Sequence, residues 1–169
     1  QWAGHHVTVG QHLPEDWESC DVIVGARVAN QEATRMWKVM KDAGIRLVLD
    51  LDDDYFHINP TDPDAYQEWI VGGTAARLSA NMQIADKVTV CTKTLAHTVG
   101  NLSDNVQVIP NGLPAQHLGL PRDYRPDHVV GGWSGTRSTM PELKLAARHL
   151  NRIADRKDAH VLLVGCTPE

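Results

Sequence analysis

Apolar and polar positions follow two alternating rhythms through the first two thirds of the chain, and the pattern centres on Arg46 to Phe56, RLVLDLDDDYF. There an apolar run bounded by Gly44 ends in four carboxylates, Asp50, Asp52, Asp53 and Asp54. A short apolar run closed by polar residues predicts a buried parallel strand. Similar runs predict strands at Val22 to Val24, Lys87 to Cys91 and Val106 to Ile109, and HHVTV from His5 to Val9 is a shorter candidate. Between them the period changes to that of a helix. Ala33, Met36, Trp37 and Met40 recur at i, i+3, i+4 and i+7 after the N-cap candidate Asn30, and Gly44 suits the C′ position. Asp62 and Pro63 predict another helix start, which Gly72 and Gly73 interrupt. A helix over about Thr74 to Ala85 follows, and Thr92 caps a short one through Leu95 and Val99. Strand and helix in strict alternation predict an α/β fold, a Rossmann-like doubly wound parallel sheet.

At Pro110 the rhythm stops. PNGLPAQHLGLPRDYRPDH is dense in proline and glycine and has the composition of a linker. After it VVGGWSGTRSTMPELKLAARHL and VLLVG predict a strand at Val129 and Val130, a glycine-rich turn, a helix and a strand at His160 to Val164. Thr139 and Glu142 fit a capping box around Pro141, and Leu143, Ala146, Ala147, Leu150 and Ala154 form the apolar stripe. The expected organisation is therefore an N-terminal Rossmann-like domain over residues 1–112, a linker over 113–127, and the beginning of a second Rossmann-like domain over 128–169. Two strands and one helix do not bury both faces of a sheet. The expectation is a longer protein, with the first domain also open at its start.

Composition narrows the function classes. A net charge of −5, spread without a basic block, argues against nucleic acid as the main partner. No apolar run approaches the ~20 residues of a transmembrane helix, and no signal-peptide pattern is present, which makes the cytoplasm the expected compartment. Cys20, Cys91 and Cys166 are far apart and read as reduced, Cys91 and Cys166 as packing residues. The histidines are scattered without metal-ligand spacing.

Two stretches carry candidate chemistry. In an open α/β sheet the loops at the carboxyl ends of the strands form the ligand crevice, which is where the four aspartates fall. Arg27 lies at the same sheet edge, with pairing to the acidic cluster as its expected role. In the second unit Gly131, Gly132 and Gly135 permit close backbone approach to an anion. Ser134, Thr136 and the following helix N-terminus offer donors toward a diphosphate, and Arg137 adds a charge. The plainer reading is a tight strand-to-helix turn.

Taken in order, VLDLDDDYF, ADKVTVCTKTL, VQVIPNGL and GGWSGTRSTMPELKLAARHL with VLLVG resemble a glycosyltransferase of the GT-B type. The similarity is to the family 4 (group 1) enzymes, in particular divergent bacterial and phage forms with a strand ending in DxDD. The resemblance spans Asp21 to Gly165. It implies two Rossmann-like domains across a cleft, acceptor on the first and nucleotide-sugar donor on the second. The implied reaction is sugar transfer to a hydroxyl of a glycan, lipid or protein, with no obligatory cofactor or metal. It further implies Asp52 or Asp53 as the base that accepts the hydroxyl proton, and Arg27, Asp50 and Asp54 on the acceptor side; the plainer reading is that one aspartate caps the following turn and the others are solvated. Gly132, Ser134, Gly135, Thr136 and Arg137 would face the donor phosphates. The chain departs from the family at Thr136, where relatives carry a basic residue, and at Met140-Pro141, where they carry Lys-Gly. The family's paired donor-binding glutamates would lie beyond residue 169, in a further C-terminal portion, so this chain alone is expected to be inactive.

Three other readings fit parts of the sequence. Asp50-x-Asp52 and Asp52-x-Asp54 match the DxD pair of transferases that hold Mg²⁺ or Mn²⁺ on the donor. A strand ending in DxD also opens the haloacid-dehalogenase-like phosphatases, although Asp54 stands where those enzymes want Thr or Val. The last reading is a non-catalytic α/β scaffold or binding module.

Overall fold

The computed structural model describes residues 4–119, 129–136 and 139–165, and these fall into two compact units that divide between Gly112 and Leu113. The first unit is an α/β layer built on a four-stranded parallel sheet. Its elements are β1 (Val22–Ala26), α1 (Gln31–Asp42), β2 (Arg46–Leu51), α2 (Pro63–Tyr66) running directly into a π-helical turn (Gln67–Val71), α3 (Thr74–Ile84), β3 (Lys87–Val90), α4 (Lys93–Val99) and β4 (Val106–Val108). The strands lie in the order β1-β2-β3-β4, all parallel.

The helix ends are set by short-range chemistry. Asn30 accepts the Ala33 N–H at 2.7 Å, Asp62 the Ala65 N–H at 3.2 Å and Thr92 the Leu95 N–H at 3.0 Å, each satisfying an orphan donor of a first turn. Gly44 takes φ +87° directly after α1, the left-handed conformation that glycine adopts without a Cβ penalty. Asp86 joins α1 to the sheet by accepting the Leu47 N–H at 2.8 Å and the Lys41 ammonium at 2.5 Å. Its carboxyl is held below its usual pKa, first by Lys41 and then by the Leu47 N–H.

The core lies on one face of this sheet. Leu47, Leu49 and Leu51 of β2 and Val88 and Val90 of β3 are buried against Trp37 and Met40 of α1, Leu78 and Met82 of α3, and Leu95 and Val99 of α4. On the opposite face Val22 and Val24 are 48% and 64% exposed. Within these four strands the expected double winding is not seen. Double winding requires the strand order to reverse, whereas right-handed crossovers that always step in one direction place every helix on the same face. At Gly25 strand β1 comes close to α1: a Cβ there would lie 2.4 Å from Val28 Cγ2 and 2.9 Å from the Trp37 ring.

Two further expectations change. His5 to Val9 is not a strand; among the described residues its alternation finds no partner beyond an isolated bridge at His5, and the segment is exposed. Gly72 and Gly73 do interrupt the helical pattern, but through a π turn in which the Gly72 N–H reaches the Gln67 carbonyl at 2.7 Å.

The second unit contains a 3₁₀ turn (Ala115–His117), β5 (Val129–Ser134), α5 (Met140–Ala154) and β6 (Ala159–Val164), with β5 and β6 parallel. The strand expected to stop at Val130 continues through Gly131, Gly132, Trp133 and Ser134. The full-length register from Val129↔Ala159 to Ser134↔Val164 outweighs the weak strand preference of two glycines. No helix among the described residues is long and apolar enough to cross a membrane.

Candidate functional site

The carboxyl ends of β1, β2 and β3 bring Arg27, the acidic loop and Thr89 together. Asp50 is the last polar residue inside β2. Its side chain accepts a hydrogen bond from the hydroxyl of Thr89, its register partner on β3, at 2.5 Å. Its carbonyl accepts the Arg27 N–H at 3.1 Å. Arg27 takes φ +51°, the sole non-glycine residue at positive φ among the described residues. Such a conformation costs on the order of 1 kcal/mol and persists where surrounding contacts enforce it.

Beyond β2 the carboxylates separate into different environments. Asp52 is exposed and accepts the Tyr55 hydroxyl at 2.7 Å, while its carbonyl is 3.3 Å from the Cys91 thiol. The side chain of Asp53 accepts the Asp54 N–H at 2.8 Å. Asp54 caps the following turn: one oxygen accepts the N–H groups of Phe56 at 3.0 Å and His57 at 3.2 Å, and the other lies 2.9 Å from His57 Nδ1. The four aspartates therefore do not act as one cluster. Asp50 ties two strands, Asp53 and Asp54 shape the loop, and Asp52 faces a tyrosine. Among the described residues no three His, Cys, Asp or Glu side chains are gathered in a metal-holding arrangement.

Tyr55 is the centre of this arrangement. The residue is 8% exposed, and its ring stacks on Trp69 of the π turn, with centroids 4.4 Å apart and planes 25° from parallel. The Arg27 guanidinium lies over the same ring at 5.9 Å from its centroid, within cation–π range. Burial, followed by the hydrogen bond to Asp52, pushes the Tyr55 pKa up to about 12. Arg27 is raised above its ordinary value, first by its hydrogen bonding and charge interaction with Tyr55 and then by the Asp52 charge. A neutral phenol donating to Asp52 holds that carboxylate in one orientation, and Arg27 supplies a compensating cation.

Sequence reasoning singled out Asp50, Asp52, Asp53, Asp54 and Arg27, and the structure gathers all five at one sheet edge. It missed Tyr55, Trp69 and Thr89. Tyr55 had a local signal, an aromatic side chain directly after a run of acids that cannot all be solvated alike. Trp69 and Thr89 had none, because only tertiary packing brings them to the loop.

In the second unit the expected glycine loop is rearranged. Gly132 and Ser134 lie in β5, so their N–H and C=O groups are directed along the sheet rather than gathered in a turn. Gly131 is a packing glycine: a Cβ there would lie 3.1 Å from Ile153 of α5. The turn itself begins at Gly135, whose N–H reaches the Val164 carbonyl at 3.0 Å. The Thr136 N–H donates to Thr139 Oγ1 at 2.9 Å, and that hydroxyl donates back to the Thr136 carbonyl. The capping box with Glu142 is consequently absent, since the Thr139 side chain is engaged ahead of the helix and makes no capping bond into it. Trp133 covers Gly135, where an added Cβ would fall 2.4 Å from the indole. Arg137 and Cys166 lie outside the described residues.

A shallow depression of about 360 Å³, lined by Ala85, Asn101 and Asn105 among others, lies at the amino ends of β3 and β4, away from the acidic loop. Comparison with family models and with curated proteins gives no match to this chain.

Proposed function

We propose that this chain is the acceptor-side portion of a metal-independent, GT-B type glycosyltransferase, with a Rossmann-like first unit and the donor side beginning in the second. The observation that carries the reading is the Arg27–Tyr55–Asp52 arrangement at the carboxyl end of a parallel sheet. It leaves one carboxylate exposed and oriented while its neighbours are occupied in shaping the loop. Asp52 is the base in this reading. As the acceptor hydroxyl oxygen bonds to the anomeric carbon of the donor sugar, its proton passes to the carboxylate, and the nucleotide phosphate leaves with the electron pair of the broken C–O bond. Asp53 is the second candidate, with one oxygen already engaged by the Asp54 N–H.

Geometry favours this over a DxD metal site. Of the two pairs with the required spacing, Asp52 and Asp54 are turned to different donors, one to Tyr55 and the other to the backbone of the next turn, and Asp50 of the other pair is bonded to Thr89 within the sheet. A phosphatase nucleophile at Asp50 is disfavoured by its place inside β2, bonded to Thr89.

The test is transfer of radiolabelled sugar from a panel of nucleotide sugars to mixed glycan, lipid and protein acceptors by the intact protein, in EDTA and in Mn²⁺. Transfer in EDTA that falls about 10²–10⁴-fold in Asp52→Asn supports the reading. Transfer that needs Mn²⁺ supports the DxD alternative. Absence of donor binding in both buffers supports a scaffold.

A further inference from the structure

Arg77 sits in α3, outside the acidic loop, yet its guanidinium makes three hydrogen bonds to three separate places. Nε donates to the Ala29 carbonyl at 2.9 Å, one Nη to the Gly72 carbonyl at 3.2 Å, and the other to Thr74 Oγ1 at 2.8 Å. Ala29 belongs to the loop that carries Arg27. Gly72 closes the π turn that carries Trp69. These are the two loops whose side chains lie against the Tyr55 ring.

One turn further along α3, Asn81 holds the same loop. Its Nδ2 donates to the Val28 carbonyl at 2.7 Å and to Thr34 Oγ1 at 2.9 Å, and its main-chain carbonyl accepts Trp37 Nε1 at 3.1 Å. Asn81 is fully buried and Thr74 nearly so, which makes this a fixed network. The backbone of the Arg27 loop is thus held from ahead by Asp50 and from behind by α3. That accounts for the positive φ at Arg27.

We propose that Arg77 is a positioning residue for the Tyr55–Asp52 pair, because its forked guanidinium fastens the Arg27 loop and the Trp69 turn to α3 and so sets the two side chains that lie against the Tyr55 ring. The role in transfer rests on the reading of Asp52 as base; the clamp itself does not. A planar guanidinium is required, since a lysine ammonium is a single point charge that does not span carbonyls of two loops.

The experiment places ¹³Cζ-labelled tyrosine in the intact protein and follows ionisation by NMR. The chain has three tyrosines, Tyr55, Tyr66 and Tyr124, and Tyr55→Phe assigns the Tyr55 signal. At pH 11 a phenol with a pKa of about 12 is about one tenth ionised, and one returned to about 10 is about nine tenths ionised. Arg77→Lys is expected to move Tyr55 toward the second value without moving Tyr66, because the lost burial outweighs the lost Arg27 charge, which by itself acts the other way. Thr74→Val, which keeps the buried volume and removes one anchor, is expected to raise the ionised fraction at least about two-fold, and it carries the test alone if Arg77→Lys does not fold. In the transfer assay a folded Arg77 variant is expected to lower kcat and leave donor KM unchanged. An unchanged Tyr55 signal in the folded variants overturns the clamp. The NMR response needs no substrate, so failure of the glycosyl-transfer reading leaves it in place and is read separately.

Discussion

Replacing Tyr55 by Phe isolates the hydroxyl that holds Asp52, and its effect on stability is expected to depend on pH with a definite sign. At neutral pH the variant loses a hydrogen bond to a charged acceptor, a class worth about 1.5–3 kcal/mol when buried. Asp52 is exposed and regains water, so about 1 kcal/mol is expected. The wild-type phenol titrates near 12 when folded and near 10 when unfolded. A raised folded pKa gives stability that is complete below pH 10 and is lost as pH rises toward 12. Two units correspond to about 2.7 kcal/mol at most, and about half of that remains after screening around the exposed carboxylate. Urea unfolding of wild type and Tyr55→Phe from pH 8 to 11 tests this, with Tyr66 and Tyr124 common to both proteins. The stability advantage of the wild type is expected to shrink by about 1 kcal/mol between pH 9 and 11 and to approach zero or reverse. A difference that stays flat across that range would refute the account of Tyr55.

Other substitutions separate loop shaping from core packing. Asp54→Ala removes the acceptor for two backbone N–H groups and is expected to cost about 1 kcal/mol in urea unfolding, with faster amide exchange at Phe56 and His57. Gly25→Ala drives a methyl group into Val28 and Trp37; a loss of about 1–3 kcal/mol and a change in tryptophan fluorescence are expected, and an unchanged melting curve would show that the α1–β1 contact yields easily. Asn30→Ala is expected to cost about 1 kcal/mol through the lost cap on α1, measurable in the same unfolding assay.

Much of the first unit was legible because its signals are local. Asn30, Asp62 and Thr92 cap the helices predicted for them, Gly44 adopts the left-handed turn, and the α1 stripe of Ala33, Met36, Trp37 and Met40 delivers Trp37 and Met40 to the core. Features that depend on distant partners were not legible. Gly131 to Ser134 read as a turn because glycine is a poor strand former, and only pairing with β6, about thirty residues later, makes them a strand. The period-2 pattern at His5 to Val9 had the opposite fate, since among the described residues no neighbouring strand takes it up. Thr139 had the spacing of a cap, but the Thr136 N–H competes for its hydroxyl. At the acidic loop the residue types and the sheet edge were legible. A turn-capping aspartate was one of the two expected readings and Asp54 fills that role, but which aspartate caps and what the others do was not legible, because it depends on the conformation of residues 52–57 and on a tryptophan fourteen positions beyond Tyr55.

The π turn at Gln67–Val71 encodes the position of Trp69 through residue count as well as residue identity. A π turn holds one residue more than the α-helical turn it replaces. Deleting a single residue between Gln67 and Trp69 would restore the α register and, at about 100° per residue, swing the indole well away from Tyr55. Chain length in this short segment therefore bears on the acidic loop as its side chains do, and a one-residue gap here would mark a protein whose aspartate loop is held in some other way.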